Sequence, residues 1–305
     1  MNNLEKIRKI IVRKKLWDKI FATLGLLSML VGIITLLALI IDLCVEGLPR
    51  ISWEFFTSFP SYRPEAAGIL SAWVGTTLVM LVTGLAAIPL GVAAAIYLEE
   101  YAQKNWIADL IEINVTNLAG VPSIIYGLLA LGLFVYKFNL GESILSAGLT
   151  LALLILPIVI VTTREALRSI PNSIREAAYA MGASKWQMIW DHILPYSRGG
   201  ILTGVIVGLS RAIGETAPII TIGALTFIAF LPDAPIKSEF PYISFSWLMS
   251  PFTVMPIQMF NWVSRPEPEF QLNAAAAGIV LIVMTLAMNS LAIYLRYHFR
   301  KNIKW

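Results

Sequence analysis

Residues Glu176–Pro195 read EAAYAMGASKWQMIWDHILP. Two amphipathic helical stretches meet there at Gly182, which permits a sharp reversal that a β-carbon would resist. Asn172 or Ser173 is placed to cap the first, with Glu176 in its first turn, where the helix dipole favours a carboxylate. Ser184 is placed to cap the second, which carries Trp186, Met188, Ile189, Trp190 and Ile193. A short helix–glycine–helix element with exposed aromatics suits docking into a groove of another protein. A helix lying on a membrane surface has the same pattern.

The flanks decide the class. The 305-residue chain is 57% hydrophobic and only 14% charged, with a mean hydropathy of +0.74. Ordinary soluble domains lie well below this, so the composition implies an integral membrane protein. A spanning helix needs about 20 apolar residues. Six candidates lie near 21–44, 69–98, 107–135, 143–163, 200–230 and 271–295. The first is too long for a signal-peptide core and is expected to be retained. A lone cysteine, Cys44, excludes an intramolecular disulfide and leaves no cysteine cluster for a metal.

Charge distribution predicts orientation. Seven lysines and arginines precede residue 20, five lie in 164–198 and four follow the last span, against five in 45–68, 136–142 and 231–270 combined. The positive-inside rule then places both termini and the 164–198 segment in the cytoplasm. The 99–106 turn, with Glu99, Glu100 and Lys104, is placed inside by alternation alone. No repeat or flexible linker divides the chain, and one all-α membrane domain with six transmembrane helices is expected. Within it, 1–64 holds the basic N-terminal segment, first span and outer loop, and 65–305 holds the other five spans.

Breaks punctuate this pattern. The third span contains NLAGVPSIIYGL (117–128), where Gly120 precedes Pro122. Broken helices at membrane depth either line a wet cavity or are packed in protein, and both readings stand. The proline- and aromatic-rich loop 231–270 predicts a short interfacial helix near 251–263. Trp247 and Trp262 are expected at the membrane surface.

The 176–195 stretch resembles the EAA loop of ABC-importer permeases: EAA, three residues, glycine, nine residues, an apolar residue, one more, then Leu-Pro. It maps onto Glu176, Ala177, Ala178, Gly182, Leu194 and Pro195. His192 occupies the apolar position, a departure that suggests a small shift in the second helix, with Ile193 beside it. Together with SRAIGETAPII (210–220), SPFTVMPIQMFNWVSRP (250–266) and NAAAAGIVLIVMTLAMN (273–289), the chain from about residue 65 onward resembles the PstA-type permeases of bacterial phosphate ABC importers. The resemblance implies a type I permease architecture with the loop as ATPase-coupling helix. It also implies pairing with a PstC-type permease, two PstB-type ATPase subunits and a PstS-type phosphate-binding protein outside a bacterial inner membrane. The chain has no G-x-x-x-x-G-K-[ST] loop, so ATP and Mg are expected on the ATPase partner and no cofactor here.

In the fifth span, Gly200, Gly204, Gly208, Ala212 and Thr216 form a stripe of small residues suited to close helix packing. Arg211 and Glu215, one position earlier on each turn, can meet on one helical face. An arginine in hydrocarbon costs about 2.5–3.5 kcal/mol on insertion scales, so it should face the bundle interior or a wet cavity. Either the pair fixes packing, or Arg211 offers a forked guanidinium to a tetrahedral oxyanion while Glu215 orients it. Pro218 cannot donate to the carbonyl of Gly214, so the helix should kink or restart there. Arg211, Glu215, Thr216 and Pro218 are the candidate pathway residues, joined by Ser123 at the third-span break and by Arg164, for which snorkelling to the interface is the plain expectation.

Rival readings are a permease for molybdate or sulfate, a passive channel or scaffold, and a membrane-embedded enzyme. The last lacks a constellation: the two histidines, His192 and His298, both fall near the cytoplasmic face, and no His/Asp/Glu cluster appears.

Overall fold

A computed structural model describes residues 2–103, 105–234, 242 and 244–300. Lys237, Lys301 and Lys304, counted above for orientation, and Lys104 of the 99–106 turn lie outside the described residues. Every regular element among those described is helical. Among the described residues five helices are long and apolar enough to cross a membrane, and a pair of helices bent by 105° at a short break is either a sixth, broken span or a re-entrant loop.

Helix α1 (Asn2–Gly47) stands apart, its apolar surface exposed along most of its length. It touches the bundle near its C-terminal end, where Gly47 lies on the backbone of Ala275 and Ala276 in α12 (Glu269–Arg300). The short helix α2 (Trp53–Thr57) follows, capped by Ser52, whose side chain accepts from Phe55 N–H. Helix α3 (Leu70–Ile96) keeps its course through Pro89 and ends in a π-helical turn, Tyr97–Tyr101. The bent pair is α4 (Trp106–Leu118) and α5 (Ser123–Ala130), separated by the predicted break.

Helix α6 (Ile144–Arg168) is the centre of the bundle, gripped by α3 on one side and α9 (Leu194–Ile213) on another. Small residues make this possible, because without bulky side chains two backbones approach closely enough for dispersion to hold them. At Gly148 of α6 the side chain of Val82 fills the space a Cβ would take, and Thr83 Oγ1 donates to the Gly148 carbonyl at 3.2 Å. A Cβ on Gly91 would lie 2.7 Å from Val159 Cγ1. The α9 stripe packs the same way: Gly200 against Ala166, Gly204 against Thr162, Gly208 against Ile155 and Val159. Thr216 is not part of it, because α9 ends at Ile213.

Two expectations fail here. The fifth span is not one helix over 200–230: helix runs continuously from Lys185 to Ile213, restarts as α10 (Ala217–Thr221), and no helix follows between Ile222 and Ala234. The predicted interfacial helix exists as α11 (Met255–Val263) but does not lie on the surface. Trp262 is fully buried against Phe55, and Trp247 is buried in the main apolar cluster. Thr76 of α3 accepts the Met255 backbone N–H at 2.9 Å, so α11 is tucked into the bundle. An interfacial tryptophan and a buried one share the same sequence signal, and here packing against Phe55 and Phe270 decided between them.

Candidate substrate route and coupling surface

The α9–α10 break lies beside the N-terminal half of α6. Its register follows from α6, where Gly200, Gly204 and Gly208 meet progressively earlier residues, from Ala166 back to Ile155. One turn further, Ala212 and Ile213 share a small cavity with Leu151, in the second turn-pair of α6 from its N-terminus. Pro218 sits in the first turn of α10, where its missing N–H leaves no intrahelical bond unmade. The first-turn carbonyl bonds form normally, with Thr216 O accepting from the N–H groups of Ile219 and Ile220. Thr216 and Pro218 thus define a helix restart, as the proline implied.

The bent pair packs onto this restart. A Cβ on Gly127 of α5 would lie 2.6 Å from Pro218 Cα and would overlap Thr221 Oγ1, so only glycine lets α5 and α10 touch. The 105° bend before α5 is tied by Tyr126, whose hydroxyl donates 2.7 Å to the carbonyl of Leu118 in α4. Ser123, half-buried, is the first residue of α5.

Arg211 lies in the last turn of α9, exposed, within electrostatic reach of Tyr126. The expected partnership with Glu215 is absent. No ion pair involving either residue occurs among the described residues. Because the helix stops at Ile213, the i,i+4 relation no longer sets the two side chains on one face, and Glu215 instead lines the niche with Thr76, Leu151 and Val254. Among the described residues Arg211 is left without a carboxylate partner, next to the break between α9 and α10.

The helix–glycine–helix element forms largely as read. Helix α7 (Asn172–Ala180) ends in a reversal at Gly182, whose φ of +83° lies in the left-handed region that glycine alone adopts freely. Ser184 then caps α8 (Lys185–Gln187) in a capping box with Gln187. The first cap differs from expectation: Pro171 precedes α7 with no side-chain cap, and Glu176 lies beyond the first turn. Asn172 Oδ1 instead accepts from Arg175 Nη1 at 3.3 Å.

The shift suspected at His192 takes the form of a π-helical segment, Met188–Ile193, between α8 and α9. One extra residue in that turn rotates the helix so that Ile193 is buried with Leu167, Ile170 and Ala178 while His192 faces out. The widened turn also accommodates Pro195, which has no N–H to offer the preceding turn. Leu194 and Pro195 are half-buried where α9 begins; Glu176 and Ala177 are exposed and Ala178 is buried. Exposed beside them are Tyr179, Met181 and the stacked pair Trp186 and Trp190, with ring centroids 5.4 Å apart.

A set of charges gathers between this element and the spans, in pairings that sequence reasoning did not foresee. Arg164 does not snorkel: it is 7% exposed, donates to Glu112 of α4 at 2.8 Å, and faces Glu99 at 3.5 Å as an ionic contact without hydrogen-bond geometry. Arg168 reaches Glu99 at 2.8 Å and Glu112 at 3.4 Å. Arg175 of α7 pairs with Glu100 at 2.8 Å. The available signal was two adjacent carboxylates ending one span and three arginines around the end of another, all assigned to one side of the membrane.

The model of the family described as "Binding-protein-dependent transport system inner membrane component" matches residues 87–305. The chain belongs to this family. Among curated relatives, the permease is 33% identical to the phosphate transport system permease protein PstA of Yersinia pestis, over 92% of this chain and 91% of that one. It is 33% identical to the Haemophilus influenzae protein of the same name, over 94% and 95% of the two chains. Among solved structures, a bacterial alginate ABC importer superposes with a TM-score of 0.62 at 16% identity, covering 95% of this chain and 100% of that chain. An inward-facing MetNI methionine transporter gives 0.57 at 16% identity over 74% and 93%. These neighbours share the fold of ABC-importer permeases, and the chain is a multi-pass membrane protein of that kind.

Proposed function

We propose that this permease is the PstA-type subunit of an ATP-driven importer of inorganic phosphate. The observation that carries the reading is Arg211: a guanidinium without a carboxylate partner among the described residues, within an apolar span and next to the break that precedes α10. Hydrocarbon does not tolerate such a group, so its exposed side faces a wet route, a second protein or both. A forked cation matches a tetrahedral oxyanion through paired hydrogen bonds, and the names of the PstA relatives specify phosphate.

A related PstC-type permease covers the Arg211 side and closes the route. Two PstB-type ATPase subunits, which carry the ATP and Mg, dock on the surface made by α7, Gly182, Trp186 and Trp190. A PstS-type phosphate-binding protein delivers substrate at the opposite end. The chain itself hydrolyses nothing; its part is the pathway and the coupling. Both termini and the 164–198 segment face the cytoplasm of a bacterium, with the bundle in the inner membrane. The basic N-terminal residues and the cations of 164–198 support this orientation.

The decisive experiment is uptake of labelled phosphate in cells lacking the gene, with and without the gene restored, in the presence of arsenate, sulfate or molybdate. Restored uptake inhibited by arsenate alone is expected. Uptake inhibited best by molybdate or sulfate assigns the permease to another oxyanion.

A further inference from the structure

The guanidinium of Arg175 binds three parts of the molecule at once. Nε and Nη2 donate to Glu100 Oε1 at 3.1 and 2.8 Å. Nη1 donates to the carbonyl of Ile170 at 2.8 Å, and Nη2 to that of Leu167 at 3.1 Å, at the C-terminal end of α6. Arg175 itself belongs to α7, and Glu100 to the turn that ends α3. The Glu100 side chain is 7% exposed and that of Arg175 15%, so salt and water screen the pair little.

From Glu100 the contacts continue. Its neighbour Glu99 holds Arg168 and Arg164 of α6, and both arginines reach Glu112 of α4. Helix α4 leads into the 105° bend, and α5 beyond it packs on α10. We infer that Glu100 and Arg175 form the mechanical link by which movement of α7 is imposed on α3, α4 and α6. They touch no substrate and act as positioning residues for transport.

Apolar contacts alone would not do this. The cluster under α7, built on Leu167, Ile170, Ala178 and Ile193, attaches it to α6 and the helix that follows and reaches the end of α3 only through the partly buried Ile96. Such contacts are non-directional and fix no single pair of groups to one another. A guanidinium fork fixed to a carboxylate and two carbonyls has a set direction and resists sliding. Breaking a buried pair by removing one charge is strongly destabilising, so the end of α3 and α7 move together or the link breaks.

The inference rests on the importer reading and is tested in the complete complex in proteoliposomes, by phosphate moved per ATP hydrolysed. Glu100→Gln keeps the shape and removes the charge; Arg175→Lys keeps the charge and removes the fork. Both should lower the ratio at least about fivefold, the low end of a coupling between sites, with the ATPase subunits still co-purifying. An unchanged ratio overturns the link, as does a fall explained by loss of the ATPase subunits, which would make the pair merely structural.

A second readout needs no substrate: maleimide labelling of Asn117→Cys, at the exposed end of α4, in a Cys44→Ser background. ATP should change its rate in the parent, and Glu100→Gln should abolish that change; an undiminished response overturns the link. A parent complex that hydrolyses ATP without moving phosphate counts against the substrate reading, and the labelling then decides the link by itself.

Discussion

Arg211 and Glu215 are four residues apart and form no ion pair, because α9 ends between them at Ile213. Arg211 faces out beside Tyr126, while Glu215 lines an internal niche with Leu151 and Val254. A neutralised arginine would have been a packing device. An unpaired one within an apolar span is open to an anion, which is why we propose the pathway role for Arg211 rather than for the pair.

Arg211→Ala should abolish phosphate uptake while the complex still assembles. A charge-assisted hydrogen bond contributes about 1.5–3 kcal/mol, so loss of one or two should lower transport at least tenfold, roughly. Glu215→Gln should have a clearly smaller effect. Equal losses in both variants would restore the ion-pair reading.

Gly182→Ala should weaken attachment of the ATPase subunits, because an L side chain at a φ of +83° carries a strain of about 1–2 kcal/mol. Gly182→Pro, whose ring fixes φ near −65°, should abolish attachment. Co-purification of ATPase subunits reads both, and full retention in the proline variant would remove the reversal from the docking surface.

The π-helical turn predicts opposite fates for neighbours. Ile193→Ala removes a fully buried side chain and should cost about 2–5 kcal/mol. His192→Ala, on the exposed side, should change stability by less than about 0.5 kcal/mol. Thermal unfolding of the purified complex distinguishes them; reversed sensitivities would place His192 in the core after all.

Gly204 and Gly199 make a similar contrast on α9. A Cβ at Gly204 overlaps the Thr162 hydroxyl, so Gly204→Ala should destabilise the α6–α9 contact by about 1–3 kcal/mol. Gly199 has open space, and Gly199→Ala should be neutral or slightly stabilising. Yield and thermal stability in detergent measure both, and a tolerated Gly204→Ala would mean that the two helices pack less closely than the geometry shows.

Much of the molecule was legible in sequence because it depends on residues within a turn of one another. Long apolar runs marked the spans, Gly120 and Pro122 marked the bend before α5, and Pro218 marked the restart of α10. Gly182 and Ser184 marked the reversal and cap of the helix–glycine–helix element. Each of these follows from backbone freedom, a missing N–H or a local hydrogen bond, and none requires knowing which helix lies beside which.

What tertiary structure decided depends on residues far apart in the chain. Arg164 meets Glu112 across 52 positions and Arg175 meets Glu100 across 75, so no local period reveals either pair. Trp262 was drawn from the membrane surface into the bundle by Phe55, some two hundred residues earlier. The sequence by itself determined a helical membrane permease with its breaks and its helix–glycine–helix loop. Only the packing of α3, α4, α6 and α9 determined that Arg164 is neutralised and Arg211 is not. Charge pairing is set by the distance between side chains on neighbouring helices, and that distance exists only once the bundle has formed.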